Sequence, residues 1–289
     1  MKLTPFILIL LLASCQMPTV QQSTNQAPTS QTQPDIKPAA KVVALTSLSA
    51  DIVNRLDKTK LIGISGSRLV SQNPDLAKLP RVSEGRTPPN LEKIVSLKPD
   101  LVIGAKGFHD QVLAKLKESG IQTLTTEVNS WRSLEELTRT IATALNANPD
   151  PLIQSYQAFL QPQAASSPSV LIVANGKPIL SPNKTSWAGD LLNQFSAKNV
   201  VADFQGSSEF SGYVTLSPEK LLQINPERII LIDTSEGEIN QLKSQSFWSQ
   251  LQAVQNNQVH TMDYFGLVNP GSISAIEQAC TKLKQTILR

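Results

Sequence analysis

Two glutamates occupy equivalent positions in a segment that occurs twice in this 289-residue chain. The first copy, 90–105, reads NLEKIVSLKPDLVIGA, and the second, 217–232, reads SPEKLLQINPERIILI. Glu92 and Glu219 fall in the first turn of each predicted helix, where a carboxylate contributes about 0.3–1 kcal/mol through the helix dipole. Because the copies are alike, the same two charges could also bind a partner with two-fold symmetry. Both roles stay open.

Two further side chains, Arg86 and Tyr213, precede the two glutamates at the same spacing. Each comes just before a predicted helix, so we expect both in loops at the carboxyl ends of strands, where open parallel sheets bind ligands. They should then face each other across a cleft. The Arg86 guanidinium could donate several hydrogen bonds to carboxylate oxygens, each contributing about 1.5–3 kcal/mol. The alternative for Arg86 is a solvated position in a surface loop.

Aromatic side chains supply the other candidate contacts. Tyr264 and Phe265 follow a predicted strand, 259–262, and should reach the same edge of the sheet. Phe210 and Trp187 are further candidates for ligand contact, with simple packing as the alternative. Aromatic faces beside a cation suit a bulky, flat, oxygen-rich molecule.

The sequence offers no pattern of residues for catalysis or for direct metal binding. Its two histidines, His109 and His260, are not at ligand spacing from each other or from a carboxylate cluster. The glycines of GISGS (63–67) lack the G-x-G-x-x-G spacing of a dinucleotide-binding loop, and no nucleophile–base set is evident. We therefore predict a binding protein without a cofactor, rather than an enzyme that uses a nucleotide.

The repeat also predicts the elements that must position these residues. Each copy is a capped amphipathic helix, a proline, and then a short apolar run typical of a buried parallel strand. Strands and helices alternate around both copies, which predicts an α/β fold of two Rossmann-like lobes with parallel sheets and a ligand cleft between them. We assign the N-terminal lobe to 41–148, a connecting helix and linker to 149–168, and the C-terminal lobe to 169–289.

The N-terminus carries targeting features. Residues 1–14 combine a basic Lys2 with an apolar run too short to span a bilayer, and LASC (12–15) resembles the lipobox of bacterial lipoproteins. The resemblance implies cleavage of this signal peptide before Cys15 and lipidation of its sulfur, hence a protein of the periplasm or cell envelope anchored to a membrane. The alternative is a chance apolar N-terminus. Residues 15–40, rich in Gln, Ser, Thr and Pro, predict a disordered tether.

The net charge bears on the possible partners of the protein, and the second cysteine bears on its core. The formal net charge of +3 is too small for a nucleic-acid-binding protein of this length. Cys280 falls on the apolar face of a predicted C-terminal helix and is interpreted as a small buried residue. We expect a monomer.

Several motifs together resemble one family, the helical-backbone (class III) substrate-binding proteins of ABC importers for ferric siderophores, haem and cobalamin. The similar stretches are PNLEKIVSLKPDLVI (89–103), SWAGDLL (186–192), AKNV (197–200), LSPE (216–219) and Pro270-Gly271. The resemblance implies two lobes joined by one rigid helix, here 149–160, and no catalysis.

The resemblance also implies roles for single residues. Glu92 and Glu219 match the two carboxylates that dock onto arginines of the permease dimer in this family. Arg86 matches an arginine of ferric-hydroxamate and ferric-citrate binders, whereas cobalamin binders have an aromatic residue there. Phe108 matches an aromatic cleft position of the hydroxamate binders. The expected ligand is therefore a ferric siderophore or ferric citrate, and the alternative is cobalamin or haem.

The chain departs from the family pattern near its first helix. Ala50-Asp51 replaces a usual Thr-Glu pair, and Leu56-Asp57 replaces a Leu-Gly turn. These departures leave open a third possibility, an envelope protein that keeps the fold without a ligand.

Overall fold

The computed structural model describes residues 36–84, 87–160, 168–205, 208, 210–233 and 236–288. The predicted signal peptide, the predicted lipidation site Cys15, Arg86 and linker residues 161–167 lie outside these ranges, as does the predicted tether up to residue 35. Residues 36–40, the end of that tether, run along the N-terminal lobe. The backbone N–H of Lys37 donates to the Gln122 side chain, and that of Ala40 donates to Asp100.

The N-terminal lobe is a parallel sheet with helices on both faces. Its strands are β1 Val42–Ala44, β2 Leu61–Ser65, β3 Arg81–Ser83, β4 Leu101–Ala105 and β5 Gln122–Thr126. They lie in the order β3-β2-β1-β4-β5. The helices up to the lobe boundary are α1 Ser47–Asp57, α2 Arg68–Gln72, α3 Leu91–Ser96, α4 Asp110–Glu118, α5 Trp131–Leu145 and α6 Asp150–Phe159. Because β1 and β4 are almost entirely apolar, they are buried between the helical layers.

The C-terminal lobe combines a second parallel sheet with a small antiparallel one. Its strands are β6 Ser169–Val173, β7 Asn175–Gly176, β8 Ile179–Pro182, β9 Lys198–Asn199, β10 Tyr213–Leu216, β11 Arg228–Asp233 and β12 Val259–Asp263. The parallel order is β12-β11-β6-β9, and the antiparallel order is β10-β8-β7. The helices are α7 Trp187–Gln194, α8 Pro218–Ile224, α9 Glu236–Lys243, α10 Gln252–Gln255, α11 Tyr264–Leu267 and α12 Ile273–Leu288. Short 3-10 helices are Lys58–Lys60, Leu76–Lys78 and Trp248–Gln250.

The repeated segment forms the same unit in both lobes, α3 followed by β4 and α8 followed by β11. Asn90 and Ser217 cap the two helices by accepting the backbone N–H groups of Lys93 and Lys220 at 2.9 and 3.2 Å. Beyond each proline, β4 and β11 lie in the interior of their sheets. The predicted α/β fold with two parallel-sheet lobes is confirmed.

The antiparallel sheet changes the position expected for Tyr213. The sequence pattern predicts a loop there, and this is wrong, because Tyr213 begins β10 and pairs with Pro182 of β8. Along β10 the buried residues are Val214 and Leu216, which alternate with more exposed ones. This period of two is the pattern of a half-buried strand, and four residues are too few for it to stand out in the sequence.

The two lobes share one hydrophobic core. Ile52 of α1 and Ile141 of α5 belong to the same buried cluster as Leu191 of α7 and Ile276 of α12. Tyr156 of α6 is also buried in this cluster, and burial raises its pKa to about 12. The lobes are therefore joined by direct packing as well as by the chain.

Each lobe also supplies an aspartate to the N-terminus of a helix in the other. Buried Asp51 accepts the backbone N–H of Ile273, the first residue of α12, at 2.8 Å, and it pairs with Arg55 at 3.1 Å. Asp190 accepts the backbone N–H of Trp131, the first residue of α5, at 2.7 Å. A carboxylate stabilises a helix N-terminus by accepting an otherwise unpaired N–H. Asp51, a departure from the family pattern, thus links the lobes.

Candidate functional site

The C-terminal lobe brings three predicted ligand-contacting residues together. Tyr264 and Phe265 follow β12 directly, and their ring centroids lie 5.3 Å apart with nearly perpendicular planes. Tyr213 and Tyr264 both pack against the main core. Burial, and secondarily Tyr264, raise the pKa of the Tyr213 phenol above its ordinary value. We call Tyr213, Tyr264 and Phe265 the aromatic wall.

Two hydrogen bonds and a glycine hold the turn of Tyr264 and Phe265 in one conformation. Asp263 Oδ1 accepts the backbone N–H of Phe265 at 2.7 Å. Gly266 has a φ of +90°, and a Cβ there would lie 2.0 Å from the carbonyl oxygen of Ala275, so glycine is required. Trp187 Nε1 donates to the carbonyl oxygen of Gly266 at 2.8 Å. The turn that carries Tyr264 and Phe265 is therefore rigidly supported.

Trp187 itself lies in the core. Its exposed fraction is 3%, and its ring stacks on Trp131 with centroids 6.0 Å apart and an interplanar angle of 14°. Ligand contact and packing were both open for Trp187 from the sequence. In the structure its observed contacts are the Trp131 ring and the Gly266 carbonyl, so it supports the turn from within the core.

Phe108 and Phe210 have the most exposed large apolar side chains among the described residues, at 88% and 61%. Phe108 follows β4, and Phe210 precedes β10, so the N-terminal and C-terminal lobes carry one each. The carbonyl oxygen of Phe210 accepts the backbone N–H of Tyr213 at 3.2 Å, so Phe210 belongs to the turn that leads into β10. Single exposed apolar side chains are common on soluble proteins, so exposure alone does not assign a ligand-binding role to Phe108 or Phe210. Such a role depends on where the two residues lie relative to the predicted cleft.

The loop after β4 also carries His109. Its Nδ1 accepts the backbone N–H of Ala105 at 2.9 Å, and burial lowers the pKa of the imidazole. The neutral ring therefore supports the loop that presents Phe108. Within the described ranges, no three His, Cys, Asp or Glu side chains converge as a metal ion would require. No helix in the described part of the chain is long and apolar enough to cross a membrane.

An arginine that the sequence analysis did not single out lies at the same edge. Arg68 of α2, in the N-terminal lobe, contacts both carboxylate oxygens of Asp263, in the C-terminal lobe, at 3.3 and 3.1 Å. Its guanidinium carbon is 5.2 Å from the centroid of the Phe265 ring. Arg68 lies three residues after the end of β2. Its position after a parallel strand, at the edge where such sheets bind ligands, could have identified it from the sequence. Arg86 lies outside the described residues, so Arg68 is the cation that the structure places at the aromatic wall.

A cavity of about 370 Å³ adjoins this contact between the lobes. Both lobes line it, with Ser47, Asp51, Leu69 and Val70 on one side and Ser272 and Ala275 on the other. Hydroxyl and apolar groups are mixed in its lining, and Leu69 is the chain neighbour of Arg68. The cavity lies between α1 and α2 of the N-terminal lobe and the start of α12, and Arg68 itself is not part of its lining.

The two glutamates of the repeat are exposed in the first turns of α3 and α8. The Ser217 hydroxyl and the Glu219 backbone N–H lower the pKa of the Glu219 carboxyl. Within the described part of the chain, neither Glu92 nor Glu219 has a basic side chain within ion-pair distance. Both carboxylates are thus accessible to a partner as well as favourable for their own helices.

Comparisons with known proteins identify the family of this architecture. The model of the family described as "Periplasmic binding protein" matches residues 42–264, well over half of the chain. The ABC transporter substrate-binding lipoprotein YvrC of Bacillus subtilis is 26% identical over 85% of this chain and 78% of its own length. The vitamin B12-binding protein of Vibrio cholerae is 29% identical over 86% of this chain and 90% of its own length. The Fe(3+)-citrate-binding protein YfmC of B. subtilis is 29% identical over 62% of this chain and 58% of its own length.

Solved structures share the fold. A periplasmic solute-binding protein of Staphylococcus epidermidis superposes with a TM-score of 0.75 at 20% identity, covering 88% of this chain and all of its own. The haem-binding protein BhuT gives a TM-score of 0.69 at 20% identity, covering 86% and 97%. The chain therefore belongs to the periplasmic binding protein family, as its motifs predict, and it is a solute-binding protein of the kind that serves ABC importers rather than an enzyme.

Proposed function

We propose that this protein captures a ferric siderophore or ferric citrate between its lobes and delivers it to an ABC importer. The observation that carries the proposal is the aromatic wall on one lobe with Arg68 of the other lobe against it. Aromatic faces and guanidinium N–H groups together suit an oxygen-rich anionic chelate. The Fe(3+)-citrate-binding relative supports this ligand class.

The site residues would act on the chelate rather than on iron itself. The Tyr213 phenol could donate a hydrogen bond to a chelate oxygen. Phe108 and Phe210 would cover the apolar faces of the chelate from the two lobes, and Arg86 would add a second cation. Trp187 would act indirectly, by holding the turn at Gly266.

Cobalamin or haem is the second candidate ligand. The vitamin B12-binding relative, aligned over 90% of its length, favours cobalamin, and the haem-binding structural neighbour has the same fold. Both molecules are large and flat and would also suit an aromatic wall. The charge of the ligand separates cyanocobalamin, which has no carboxylate to offer an arginine, from ferric citrate and haem, which both carry carboxylates.

A titration of purified protein with ferric citrate, a ferric hydroxamate, haemin and cyanocobalamin tests the choice. We expect one of the two ferric chelates to quench tryptophan fluorescence saturably, because Trp187 lies directly beneath the turn of Tyr264. Phe108→Ala should weaken binding by about twofold to tenfold through loss of an aromatic contact. Val95→Ala, also exposed but on α3, is the matched control and should change nothing. Quenching by cyanocobalamin alone would overturn the iron proposal.

We further propose that the protein is lipid-anchored at Cys15 and docks on the permease dimer through Glu92 and Glu219. The lipobox-like sequence and the lipoprotein relative support the anchor. Residues 1–14 would direct export and then be cleaved, which would place the mature protein in the periplasm or cell envelope. We expect Cys15→Ser to move the protein from the membrane fraction to the soluble fraction. A mature N-terminus other than Cys15 in intact-mass spectrometry would contradict this assignment.

A further inference from the structure

The ion pair between Arg68 and Asp263 joins the two lobes at the aromatic wall. The carboxylate oxygens lie 3.1 and 3.3 Å from one guanidinium nitrogen, and the side chains are 58% and 51% exposed. An exposed pair of this kind contributes little to stability, because water solvates both charges well when they separate. The pair can therefore open at small cost.

The backbones beneath the pair are fixed even though the charged groups are accessible. A Cβ on Gly271 would lie 2.5 Å from Leu69 Cδ1 and 2.7 Å from Phe265 Cδ1. The two lobes are therefore closely packed at Gly271. Asp263 is held further by the Phe265 N–H that its Oδ1 accepts. Arg68 is thus kept at the aromatic wall by neighbours that do not depend on its charge.

An anionic ligand at the aromatic wall would compete with Asp263 for Arg68. The single nitrogen that now contacts Asp263 leaves the other N–H groups of the guanidinium available for a second acceptor. A carboxylate group in the plane of the guanidinium, which itself lies over the Phe265 ring, could accept two parallel N–H bonds, a geometry that the one-nitrogen contact with Asp263 does not provide.

We propose that Arg68 is a specificity-determining residue that exchanges partners, from Asp263 in the ligand-free protein to an anionic oxygen group of the ligand. Asp263 then acts as a built-in competitor that lowers the affinity of Arg68 for weakly anionic molecules. This inference rests on the proposed function and extends it, because it names the ligand charge that the cleft selects.

The competing explanation is a structural one, in which the pair only holds the lobes together. The two explanations differ in the sign of one effect. If the pair is structural, removing either partner breaks the same contact, and both variants weaken ligand binding alike. If Asp263 competes with the ligand, removing its charge frees Arg68, and binding becomes tighter. Asparagine at 263 can still accept the Phe265 N–H, so the turn is preserved.

The test measures the affinity of wild type, Arg68→Gln and Asp263→Asn for ferric citrate, haemin and cyanocobalamin at low salt. For a carboxylate-bearing probe we expect Arg68→Gln to weaken binding by about tenfold to 150-fold. Asp263→Asn should tighten it by about twofold to fivefold. Lys58→Gln and Asp75→Asn are the matched controls, because that pair has similar exposure, 64% and 52%, but lies within one lobe. Neither control should alter affinity.

Each outcome bears on one proposal or on both. Opposite shifts with ferric citrate, or with haemin and its propionates, support the exchange. Equal losses in both variants, or no change in either, overturn the exchange and leave the solute-binding function intact. Binding of cyanocobalamin alone, unaffected by both variants, overturns the exchange and also the choice of a ferric chelate as the ligand. A wild-type protein that binds neither these three probes nor a ferric hydroxamate overturns the proposed function and this inference with it.

Discussion

Replacing Glu92 and Glu219 together with alanine is expected to abolish uptake of the ligand in cells while leaving its affinity for the purified protein unchanged. The two carboxylates are exposed in equivalent first turns, on α3 of one lobe and α8 of the other. A two-fold symmetric permease offers the same basic surface twice, so each lobe would use one half of it. The single variants should lose part of the uptake, because one of the two contacts remains.

Uptake of iron-labelled chelate by cells that carry the variant as their sole copy measures this effect. The matched control is Glu118→Ala with Glu277→Ala, which also removes one exposed helical glutamate from each lobe. That control should retain wild-type uptake. The loss of two first-turn carboxylates costs about 0.6–2 kcal/mol of folding free energy, so a thermal melt must show that both variants are folded. Reduced ligand affinity in the Glu92/Glu219 variant would show that the docking assignment is wrong.

Replacing Trp187 with alanine should have the largest effect on stability, a loss of about 3–5 kcal/mol in the free energy of unfolding. The indole is buried, stacks on Trp131 and donates to the Gly266 carbonyl. Alanine would leave a cavity at the contact between the lobes and an unpaired carbonyl under the turn of Tyr264. Because domains of this size are stable by only about 5–15 kcal/mol, such a loss is a large fraction of the total.

Trp187→Phe separates the two contributions. It keeps most of the packing but removes the indole N–H, so it should cost about 1–3 kcal/mol. Trp248→Phe is the matched control, because Trp248 is also buried but belongs to the other core cluster of the C-terminal lobe. Urea unfolding measures the free energy of unfolding of Trp187→Ala, Trp187→Phe and Trp248→Phe. Trp187→Phe should also weaken ligand binding, because the turn loosens, whereas Trp248→Phe should not. Equal effects of the two phenylalanine variants on binding would contradict a supporting role for Trp187.

Local patterns in the sequence were sufficient to predict the architecture. The helix, proline and strand of each repeat are specified by capping residues and apolar spacing within about fifteen residues, and both copies fold as expected. The position of Tyr264 and Phe265 followed from the strand before them, because a parallel strand ends at the edge where the next loop begins. The antiparallel sheet with Tyr213 was missed, because its strands are too short for their period to be recognised.

Contacts between residues distant in the chain could not be predicted in this way. Asp51 reaches Ile273 across 222 positions, and Arg68 reaches Asp263 across 195. Asp51 had been noted only as a departure from the family pattern. No local pattern marks such partners, because they meet only when the two lobes are packed against each other.

The amino-acid sequence by itself determined two duplicated α/β lobes, the family, and the position of Tyr264 and Phe265 at the end of a parallel strand. Only the tertiary structure decided that Trp187 supports the aromatic wall from the core and that Arg68 is the cation placed against it. The physical reason is the range of the interactions. Helix caps, turns and apolar periodicity act between near neighbours in the chain, whereas burial and ion pairing between lobes depend on which distant surfaces pack together.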